Sequence, residues 1–499
     1  MNLLKIDTMK QLYFGDNLDI MKKLHSDHPE GFIDLIYIDP PFNSKRNYNV
    51  LFEDIDLKDT KAQKEAFSDT WSNVSYNDTL MEIQELDLDL YKFIKALDEI
   101  RISKSAISYL TTMAIRIHYM HKLLKKTGSF YLHCDPTMSH YLKLVCDLVF
   151  GINNFRNEIV WCYRKWSASN NRYLRSHDII LFYGKSNINT FNVQYLPYSE
   201  GTFKRWKGKK QASEFKDGVR VHQFSTAEDS IGTYMPDWWE VSIINPAAKE
   251  RLGYPTQKPI ALMERIILAS STENDLVADF FCGCGTTIAA AEKLNRNWMG
   301  VDISHLAVKL IIDRLVKPYP ELKQQEIRKN IHVDGFPKDI ASALELAQNT
   351  DKHRVQFQDW IIEFMIGGVS NTKKSGDGGF DGYITFALPE SEKRKGIAII
   401  EVKSGNVGIA TLRAFMNVVE KQKADIGVFV CFANQVTSGM QIEANNKGKI
   451  GNHPKIQIVT VDDLLDGKRP SFPYKSETTV YAKSTTRLDK EQKESGLFD

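Results

Sequence analysis

An early apolar run ends in residues suited to holding a polar ligand group. GFIDLIYID (31–39) leads directly into Asp39-Pro40-Pro41-Phe42. The two prolines fix φ and lack N–H donors, which leaves a carboxylate and backbone carbonyls as acceptors. An amino group donates two hydrogens, which Asp39 and the carbonyl of Pro40 can accept together, and the Phe42 ring offers a face for stacking a base. The sequence therefore predicts a loop that holds the amino group of a nucleobase.

A second candidate site is a glycine turn. DLVADFFCGCGTT (275–287) predicts a strand, a tight turn with Gly283 and Gly285, and a helix. Glycine permits positive φ and close approach of a ligand, and the free N–H groups of a helix start favour an anionic group. The next strand ends at Asp302, where a carboxylate is suited to bind a ribose diol. By itself, the pattern is equally compatible with a nucleotide-binding turn and with a purely structural turn.

A third group of candidates lies in the last quarter of the chain. Asp381 follows a glycine pair, and Glu401 and Lys403 alternate along an apolar strand, so they share one face. Two carboxylates beside a lysine are a candidate Mg²⁺ site in which the lysine orients an attacking water. Glu363, on a predicted helix, would add a further carboxylate. The alternative is an ordinary α/β domain with exposed charges.

The elements that must position these residues alternate between strands and helices. The predicted strands are 31–39, 129–135, 158–164, 178–185, 275–280 and 297–302, and the predicted helices are 108–126, 138–150, 259–270 and 286–294. The helix 108–126 is expected to end in KKTG, and a polar connector is expected from about 318 to 350. This alternation predicts an α/β fold with a mostly parallel, doubly wound sheet.

Composition indicates an ordinary multidomain protein. The chain has 499 residues, with 42% hydrophobic and 26% charged residues, so two or three domains are expected. The net charge of +2 neither favours nor excludes nucleic acid. The spacing of the six cysteines matches neither a structural zinc site nor a disulfide framework. Without a signal-like N-terminus or an 18-residue apolar stretch, we expect a cytoplasmic protein without a membrane partner.

The ordered combination of motifs resembles the amino-group DNA methyltransferases of the permuted (beta-type) class, whose catalytic loop precedes the cofactor loop. The matching segments are DPPF (39–42), PTQKP (255–259), DFFCGCGTT (279–287), Gly15-Asp16, HCD (133–135) and HDIILFYGK (177–185). The resemblance covers about residues 10–315. It implies a Rossmann-like domain that binds S-adenosylmethionine and methylates a base flipped out of double-stranded DNA.

The resemblance also implies a role for each matching residue. The catalytic loop would be Asp39, Pro40, Pro41 and Phe42. The cofactor would be held by Asp279, Phe281, Gly283, Gly285 and Thr286 at its methionine half, Asp302 at the ribose, Asp16 at the adenine, and Thr256, Gln257 and Lys258 closing over it. The turn departs from the family pattern at Phe280, Cys282 and Cys284. An aspartate at the first catalytic position resembles adenine-N6 enzymes, and cytosine N4 is the alternative.

Residues 351–466 resemble the PD-(D/E)xK nuclease superfamily, particularly Mrr-like restriction endonuclease domains. The resemblance implies Mg²⁺ bound by Asp381 and Glu401, with Lys403 and Glu363 in the catalytic set; GGFDG favours Asp381 over Asp377 as the first ligand. The chain would then combine modification and cleavage, as in a restriction–modification or phage-defence enzyme. One alternative is a second domain that only binds DNA or partners. Another is a non-enzymatic DNA-binding module throughout.

These features predict a domain plan and a set of partners. The methyltransferase domain would span 1–335, with target recognition in the basic and aromatic stretch near 190–250; a linker (336–350), a nuclease-like domain (351–466) and a tail (467–499) would follow. For any single basic residue of that stretch, a solvated surface role is the alternative to DNA contact. The expected partner is double-stranded DNA, with a homodimer or further restriction or defence subunits as additional possibilities.

Overall fold

A computed structural model describes residues 9–41, 76–164, 171, 173–245, 247–252, 254, 256–348, 351–371, 379–388 and 391–473. The strands up to residue 334 are β1 (Lys10–Phe14), β2 (Ile33–Ile38), β3 (Leu124–Cys134), β4 (Phe155–Cys162), β5 (His177–Gly184), β6 (Tyr195–Leu196), β7 (Lys209–Lys216), β8 (Val219–Asp229), β9 (Thr233–Tyr234), β10 (Trp238–Glu240), β11 (Leu276–Asp279), β12 (Asn297–Asp302) and β13 (His332–Asp334). The helices up to residue 330 are α1 (Asn17–Asp27), α2 (Tyr76–Leu86), α3 (Leu88–Glu99), α4 (Lys104–Leu123), α5 (Ser139–Phe150), α6 (Glu200–Trp206), α7 (Ile260–Ser270), α8 (Thr286–Lys293), α9 (His305–Val316) and α10 (Glu321–Asn330).

Nine strands of the described chain form one mixed sheet in the order β10-β4-β5-β3-β2-β11-β12-β1-β13. Six neighbouring pairs are parallel, and only the two pairs made by β5, with β3 and β4, are antiparallel. The prediction of a mostly parallel sheet is therefore confirmed. Because β5 runs against its neighbours, its first residues lie at the edge where β2, β3, β11 and β12 end.

Helices cover both faces of this sheet. One apolar core joins α1 to α5 with one set of strand residues, including Ile36 and Ile38 of β2. The other core joins α7, α8 and α9 with the alternating set, including Leu35 and Tyr37. Successive side chains of a strand point to opposite faces, so a strand buried on both sides is an almost continuous apolar run. This accounts for the sequence of β2 and agrees with the predicted doubly wound fold.

The helix expected over 108–126 ends earlier than predicted. Helix α4 ends at Leu123, and Leu124 already begins β3 with extended backbone (φ −74°, ψ 140°). The strand pairing jumps from Leu124 opposite Ile33 to Ser129 opposite Leu35, so KKTG forms a bulge rather than a helix stop. Lys125 is held there by an ion pair with Asp34 at 2.8 Å. The basic residues that suggested a helix end serve a strand contact instead.

The expected connector at 318–350, including the predicted linker at 336–350, is largely regular structure. It contains α10, strand β13 paired in parallel with β1, and α11 (Ile340–Gln348). Helix α11 buries Ala343 and Ala347 in the core of the second α/β unit. Phe336 stacks on Phe14 at 4.8 Å and contacts Phe364 at 4.3 Å, joining the two units. The segment has a polar composition because only small patches of each element are buried.

The second unit is built on a smaller sheet in the order β14-β15-β16-β17-β20. Its elements are α12 (Asp351–Asp359), a π-helical turn (Trp360–Ile366), β14 (Val369–Ser370), β15 (Gly382–Leu388), β16 (Ser391–Val402), α13 (Ile409–Lys421), β17 (Ile426–Cys431), α14 (Ser438–Asn446), β18 (Lys449–Ile450), β19 (His453–Pro454), β20 (Ile456–Thr460) and α15 (Val461–Leu465). Alternate residues of β16 and β17 enter two cores, one with Trp360 and one with Phe415 of α13. The hairpin expected after Asp381 is β15–β16.

The basic and aromatic stretch near 190–250 contains more regular structure than its sequence predicted. Strands β7 and β8 form a long antiparallel hairpin, and β6 pairs with β9. Strand β10 leaves this region to join the edge of the large sheet beside β4. Across the described ranges, no helix has both the length and the apolar character needed to cross a bilayer.

Candidate active site

Four carboxylates stand at the ends of neighbouring parallel strands. Asp16 lies just beyond β1 and Asp39 just beyond β2, while Asp279 and Asp302 are the last residues of β11 and β12. Parallel strands that are adjacent in a sheet bring their carboxyl ends to one edge, which is where open α/β sheets bind ligands. The amide of Gly15 donates to the carbonyl of Asp302 at 3.1 Å, which ties two of these ends together. The catalytic-loop and glycine-turn candidates therefore lie at the same edge.

The Asp39 carboxylate forms an ion pair with Lys258. The pair joins Asp39 Oδ2 to the Lys258 ammonium, and both side chains are largely withdrawn from solvent, at 15% and 12% exposure. An ion pair that is largely withdrawn from solvent has a stronger mutual attraction than an ion pair on the surface. Lys258 was expected to close over the cofactor; the structure brings it to the catalytic-loop aspartate. Pro40 is buried and Pro41 half-buried beside it, whereas Phe42 lies outside the described residues.

Behind Asp39 lies a buried histidine from the HCD motif. The Nδ1 atom of His133 lies 2.9 Å from the Tyr37 hydroxyl and 3.9 Å from Asp39 Oδ1. Its Nε2 atom lies 3.4 Å from Asp178 Oδ2, at the start of β5. The hydroxyl of Tyr163 donates to the other Asp178 oxygen at 3.1 Å. A chain of polar side chains thus leads from the catalytic loop into the sheet.

The glycine turn after β11 has the backbone that only glycine adopts readily. Gly283 and Gly285 have φ of +48° and +70°. A Cβ atom at Gly285 would lie 2.5 Å from Ile311 Cγ1, so the turn is also packed too closely for a larger residue. The amide of Gly283 donates to Asp302 Oδ2 at 2.8 Å, and the amide of Ser304 donates to Oδ1 at 2.8 Å. The Asp302 carboxylate therefore fixes the turn and the start of α9 at once.

Burial is the main cause of the raised pKa values of Asp279 and Asp302, the two acids of this turn. Burial raises the pKa of Asp279 to about 7, against hydrogen bonds from Thr287 and the Phe281 amide and with the charges of Asp39 and Asp302 adding to the rise. Burial likewise raises the pKa of Asp302 to about 6. The hydroxyl of Thr287 donates to Asp279 at 2.6 Å. Several desolvated acids at one edge make a site that is stabilised by a cationic ligand.

Asp16 is held by an arginine that no sequence motif indicated. Arg116 Nη2 donates to Asp16 Oδ1 at 2.9 Å, and its Nε donates to Asn17 at 2.6 Å. Asp16 also caps α1 by accepting from the amide of Leu18. Asn17 in turn donates to the carbonyl of Phe280 at 2.7 Å. Arg116 is nearly fully buried, so this network rigidly links the end of β1 to the glycine turn.

The remaining cofactor-site candidates differ in their surroundings. The side-chain amide of Gln257 is hydrogen-bonded to the backbone of its own loop. It donates to the carbonyl of Glu250 at 2.6 Å and accepts from the amide of Leu252 at 2.8 Å. Thr256 is exposed. The hydroxyl of Thr286 accepts from Arg314 Nη1 at 3.2 Å. Phe281 is half-buried against the first core. Among these residues, Gln257 shapes the loop that delivers Lys258.

The second candidate site has a different character. Asp381 Oδ2 accepts from the amide of Val402 at 2.7 Å, and Oδ1 accepts from Gln358 Nε2 at 3.2 Å. Glu401 forms an ion pair with Lys403, as their shared strand face predicts. Within the ranges that the structure describes, no three acidic, histidine or cysteine side chains gather as a metal site would require.

Glu363 is hydrogen-bonded to Ser370 in that unit. It lies in the π-helical turn, where burial raises its pKa to about 8 and the negative charge of Asp359 adds to the rise. Lys309 of the first unit donates to its backbone carbonyl at 3.4 Å. Asp377, the alternative to Asp381, lies outside the described residues. Gln358 was missed because a glutamine in a helix gives no metal-site signal.

Comparison with known proteins yields two family matches. Residues 33–313 match the N6_N4_Mtase family, described as DNA methylase. Residues 354–466 match a family described as NACHT-associated inactive Restriction Endonuclease 1. The first match includes the catalytic loop, Lys258 and the glycine turn, and the second includes Asp381, Glu401 and Lys403.

Individual relatives are methyltransferases. The chain is 30% identical over 198 residues to Type II methyltransferase M.HpaI of Haemophilus parainfluenzae, covering 39% of this chain and 55% of the relative. It is 26% identical over 310 residues to DNA adenine methyltransferase YhdJ of Escherichia coli (strain K12), covering 61% of this chain and 82% of the relative. The chain thus spans only about half the length of M.HpaI.

A solved M1.HpyAVI–SAM complex aligns over 62% of this chain and 99% of that chain, at 18% identity and a TM-score of 0.33. The family match carries the assignment, because it spans more than half of the sequence. The chain belongs to the N6_N4_Mtase family of DNA methylases.

Proposed function

We propose that this chain transfers a methyl group from S-adenosylmethionine to the exocyclic amino group of a base in double-stranded DNA, with N6 of adenine as the acceptor. One observation carries the proposal: the Asp39-Pro40 loop and the glycine turn follow adjacent parallel strands. Val277 and Ala278 of β11 pair with Leu35 and Ile36 of β2. An amino group held at the loop is therefore next to whatever the turn binds.

The chemistry of the turn fits the cofactor. When bound, S-adenosylmethionine supplies an electrophilic methyl group on a positively charged sulfur, and its methionine end carries an ammonium. Asp279 is suited to the ammonium, because burial and the nearby charges of Asp39 and Asp302 destabilise its carboxylate, and a bound cation would stabilise it. Gly283 and Gly285 keep the backbone open for close approach. Asp302 would hold the ribose hydroxyls with the lone pairs that its two amide donors leave over.

The remaining residues of the proposed cofactor site act at its rim. Asp16, fixed by Arg116, would meet the adenine end, while Thr256 is exposed on the rim itself. Thr286 begins α8, so free amide groups of the first turn of that helix are directed at the ligand. We propose that Gln257 holds its loop in position and that Lys258 pairs with Asp39. Neither residue is assigned a direct contact with the cofactor.

The catalytic loop would orient the acceptor amino group. Asp39 and the Pro40 carbonyl accept its two hydrogens, which directs the nitrogen lone pair toward the methyl group. A base within a duplex cannot reach this edge, so it must be flipped out at a cost of a few kcal/mol. We expect the Phe42 ring to stack on the flipped base. Holding nitrogen and methyl in line supplies much of the acceleration.

Adenine is the preferred acceptor for two reasons. Asp39 stands where the resemblance has aspartate in adenine enzymes and serine in cytosine-N4 enzymes, and YhdJ is an adenine methyltransferase by its name. Cytosine N4 is the alternative, because its amino group offers the same two hydrogens. Mass spectrometry of nucleosides from DNA treated with the protein separates the products: N6-methyladenine supports the assignment, and N4-methylcytosine replaces it by the alternative.

We propose that the β7–β8 hairpin and α6 contact DNA. Phe203 and Phe215 are exposed by 57% and 64%, beside the exposed cations Arg205 and Arg220. Exposed rings beside cations suit backbone contact and stacking on unpaired bases. The two nearby lysines, Lys209 and Lys210, by contrast, already form ion pairs within the hairpin.

Substituting both arginines by alanine (Arg205→Ala with Arg220→Ala) is expected to weaken DNA binding and to reduce the salt dependence of the binding constant. Each lost phosphate contact lowers the slope of log K against log salt by about 1. Fluorescence anisotropy with a labelled duplex at several salt concentrations measures both quantities. Lys95→Ala, an exposed lysine on α3, serves as the matched control. An unchanged slope in the double variant would remove the hairpin from the DNA interface.

For the second unit we infer binding of DNA or a partner rather than cleavage. The residues present do not fit Mg²⁺: within the described ranges no three acidic, histidine or cysteine side chains gather as a metal site requires, and Glu401 is paired with Lys403. Hard divalent cations take several carboxylate, carbonyl or water oxygens, and Asp381 beside a Glu401 that is paired with Lys403 supplies too few of them. The description of the matched family as inactive agrees with this inference.

Supercoiled plasmid incubated with the full chain and Mg²⁺ is therefore expected to stay uncut, and Lys403→Ala is expected to behave identically. The assay is gel electrophoresis of unmethylated plasmid under conditions in which methylation proceeds. Cleavage by the natural sequence that Lys403→Ala abolishes would reinstate the fused endonuclease, with Asp381, Glu401, Lys403 and Glu363 as its active site.

A further inference from the structure

His133 of the HCD motif and Asp178 of the segment HDIILFYGK (177–185) meet in a buried cluster of polar side chains. Neither residue has been assigned a role in methyl transfer above. His133 has no solvent exposure, and Tyr37 is 1% exposed. The Trp161 ring packs edge-to-face with the imidazole, with centroids 5.5 Å apart. Water is therefore kept from this side of Asp39. Any proton that leaves Asp39 in this direction must pass through the side chains.

The contacts of His133 favour one tautomer. Burial lowers the pKa of His133, with the Lys258 charge adding to the fall and the Asp39 and Asp178 charges opposing it. Burial raises the pKa of Asp178, but the contacts with His133, Lys258 and Tyr163 together outweigh it and hold the pKa below its ordinary value. Because Nε2 lies 3.4 Å from the Asp178 carboxylate, the ring hydrogen is favoured at Nε2, which leaves Nδ1 as the base. Tyr37 donates to that nitrogen.

The proposed reaction generates a proton at Asp39. The amino nitrogen gives its lone pair to the methyl carbon, and the carbon–sulfur bond breaks with its electron pair left on sulfur. The nitrogen then bears a positive charge and must lose one hydrogen as a proton to give the neutral methylated base. Asp39, which accepts a hydrogen bond from this nitrogen, receives the proton and becomes uncharged. It must ionise again before the next base binds.

We propose that His133 Nδ1 accepts this proton from Asp39 as the Tyr37 hydroxyl turns from donor to acceptor at that nitrogen, and that the Nε2 hydrogen leaves through Asp178, whose side chain is 17% exposed. Asp39 is thereby restored as a carboxylate; the inference rests on the methyl-transfer function proposed above. The Nδ1–Oδ1 separation of 3.9 Å is too long for a hydrogen bond. Catalytic contacts often shorten only when substrate binds, and an approach of about 1 Å suffices here. The imidazolium so formed faces two carboxylates, Asp39 and Asp178, against one ammonium, Lys258. His133 acts through Asp39, as a positioning and proton-accepting residue.

The test is the pH dependence of steady-state methyl transfer with saturating cofactor and duplex DNA, because Asp39 has to lose the acquired proton between one turnover and the next. His133→Asn keeps a polar atom near the Nδ1 position but does not titrate, and we expect the rate constant to fall about 10²-fold. Calorimetry is expected to give an unchanged dissociation constant for S-adenosylmethionine. His140→Asn, an exposed histidine on α5, is the matched control and is expected to behave like the natural sequence. A His133→Asn rate equal to that of His140→Asn would overturn the relay.

Asp178→Asn provides a readout that a structural role would not change. The amide oxygen still lies opposite Nε2, but the negative charge that stabilises the imidazolium is gone. The acidic limb of the rate profile is therefore expected to move to lower pH, with a lower plateau. A limb that stays in place would mean that His133 does not accept the proton, and the relay fails. Complete absence of methyl transfer by the natural sequence would instead reject the proposed function itself.

Discussion

Replacing Asp39 by alanine is expected to lower the rate constant of methyl transfer by about 10³-fold while leaving cofactor affinity within a factor of about three. The side chain orients the amino group and accepts its proton, and removal of a positioned general base costs about 10²–10⁴-fold. Cofactor contacts are assigned to other strands, so they survive the substitution. Rapid-quench methyl transfer and calorimetric titration of S-adenosylmethionine measure the two quantities.

Two companion variants refine this result. Asp39→Asn keeps a carbonyl acceptor, so it should retain more orientation than alanine but no proton acceptance. Both variants remove the Asp39–Lys258 ion pair, so equal cofactor affinity would show that this ion pair does not contribute to cofactor binding. A full transfer rate in Asp39→Ala would mean that the catalytic loop has been misassigned.

Replacing Asp279 by asparagine is expected to have opposite effects on binding and on stability. A charge-assisted hydrogen bond to the cofactor ammonium is lost, so affinity for S-adenosylmethionine should fall about 10–100-fold. The unliganded protein should become more stable above pH 7. The cause is the raised pKa of Asp279, about 7 in the folded chain against an ordinary value of 3.8.

The direction of the stability change follows from linkage. A carboxyl whose pKa is raised by folding contributes stability that is fully present below pH 4 and lost as pH rises through about 7. The difference between the two pKa values corresponds to a loss of folding stability of at most roughly 4 kcal/mol when the carboxyl is ionised. Asparagine cannot ionise and so does not incur this loss, although its hydrogen bonds are weaker. Denaturant unfolding at pH 5 and pH 8 measures the free energy of unfolding of the variant and of the natural sequence. Glu273→Gln, at an exposed position near the start of the same strand, is the control. Greater instability of Asp279→Asn at pH 8 than at pH 5, relative to the natural sequence, would contradict the account.

Local sequence patterns predicted the parts of the fold that depend on local physics. A continuous apolar run such as 33–38 is buried on both faces wherever it is placed, and the strand ends put Asp39, Asp279 and Asp302 at one edge. KKTG was misinterpreted because basic residues and a glycine suit a helix end and a strand bulge equally. The polar segment 318–350 concealed α10 and α11 because their buried faces are made of a few small residues.

The long-range partners of the site had no sequence signal. Lys258 is 219 positions from Asp39, and Arg116 is 100 positions from Asp16. Only the order of the strands in the sheet brings them together. Gln358 beside Asp381 was equally hidden, since only the fold brings its side-chain amide to that carboxylate. The motif Asp381, Glu401 and Lys403 was recognised in sequence, but within the described residues no three potential ligands gather and Glu401 is paired with Lys403, which argues against the metal that the motif implied.

Base-resolution mapping of unmethylated DNA, treated with the full chain and S-adenosylmethionine, is the decisive test of methyl transfer to adenine N6. We expect N6-methyladenine within one short recurring sequence, and no such mark after treatment with Asp39→Ala. Methyl groups on a ring carbon such as cytosine C5, or no transfer to DNA by a protein that demonstrably binds the cofactor, would contradict it.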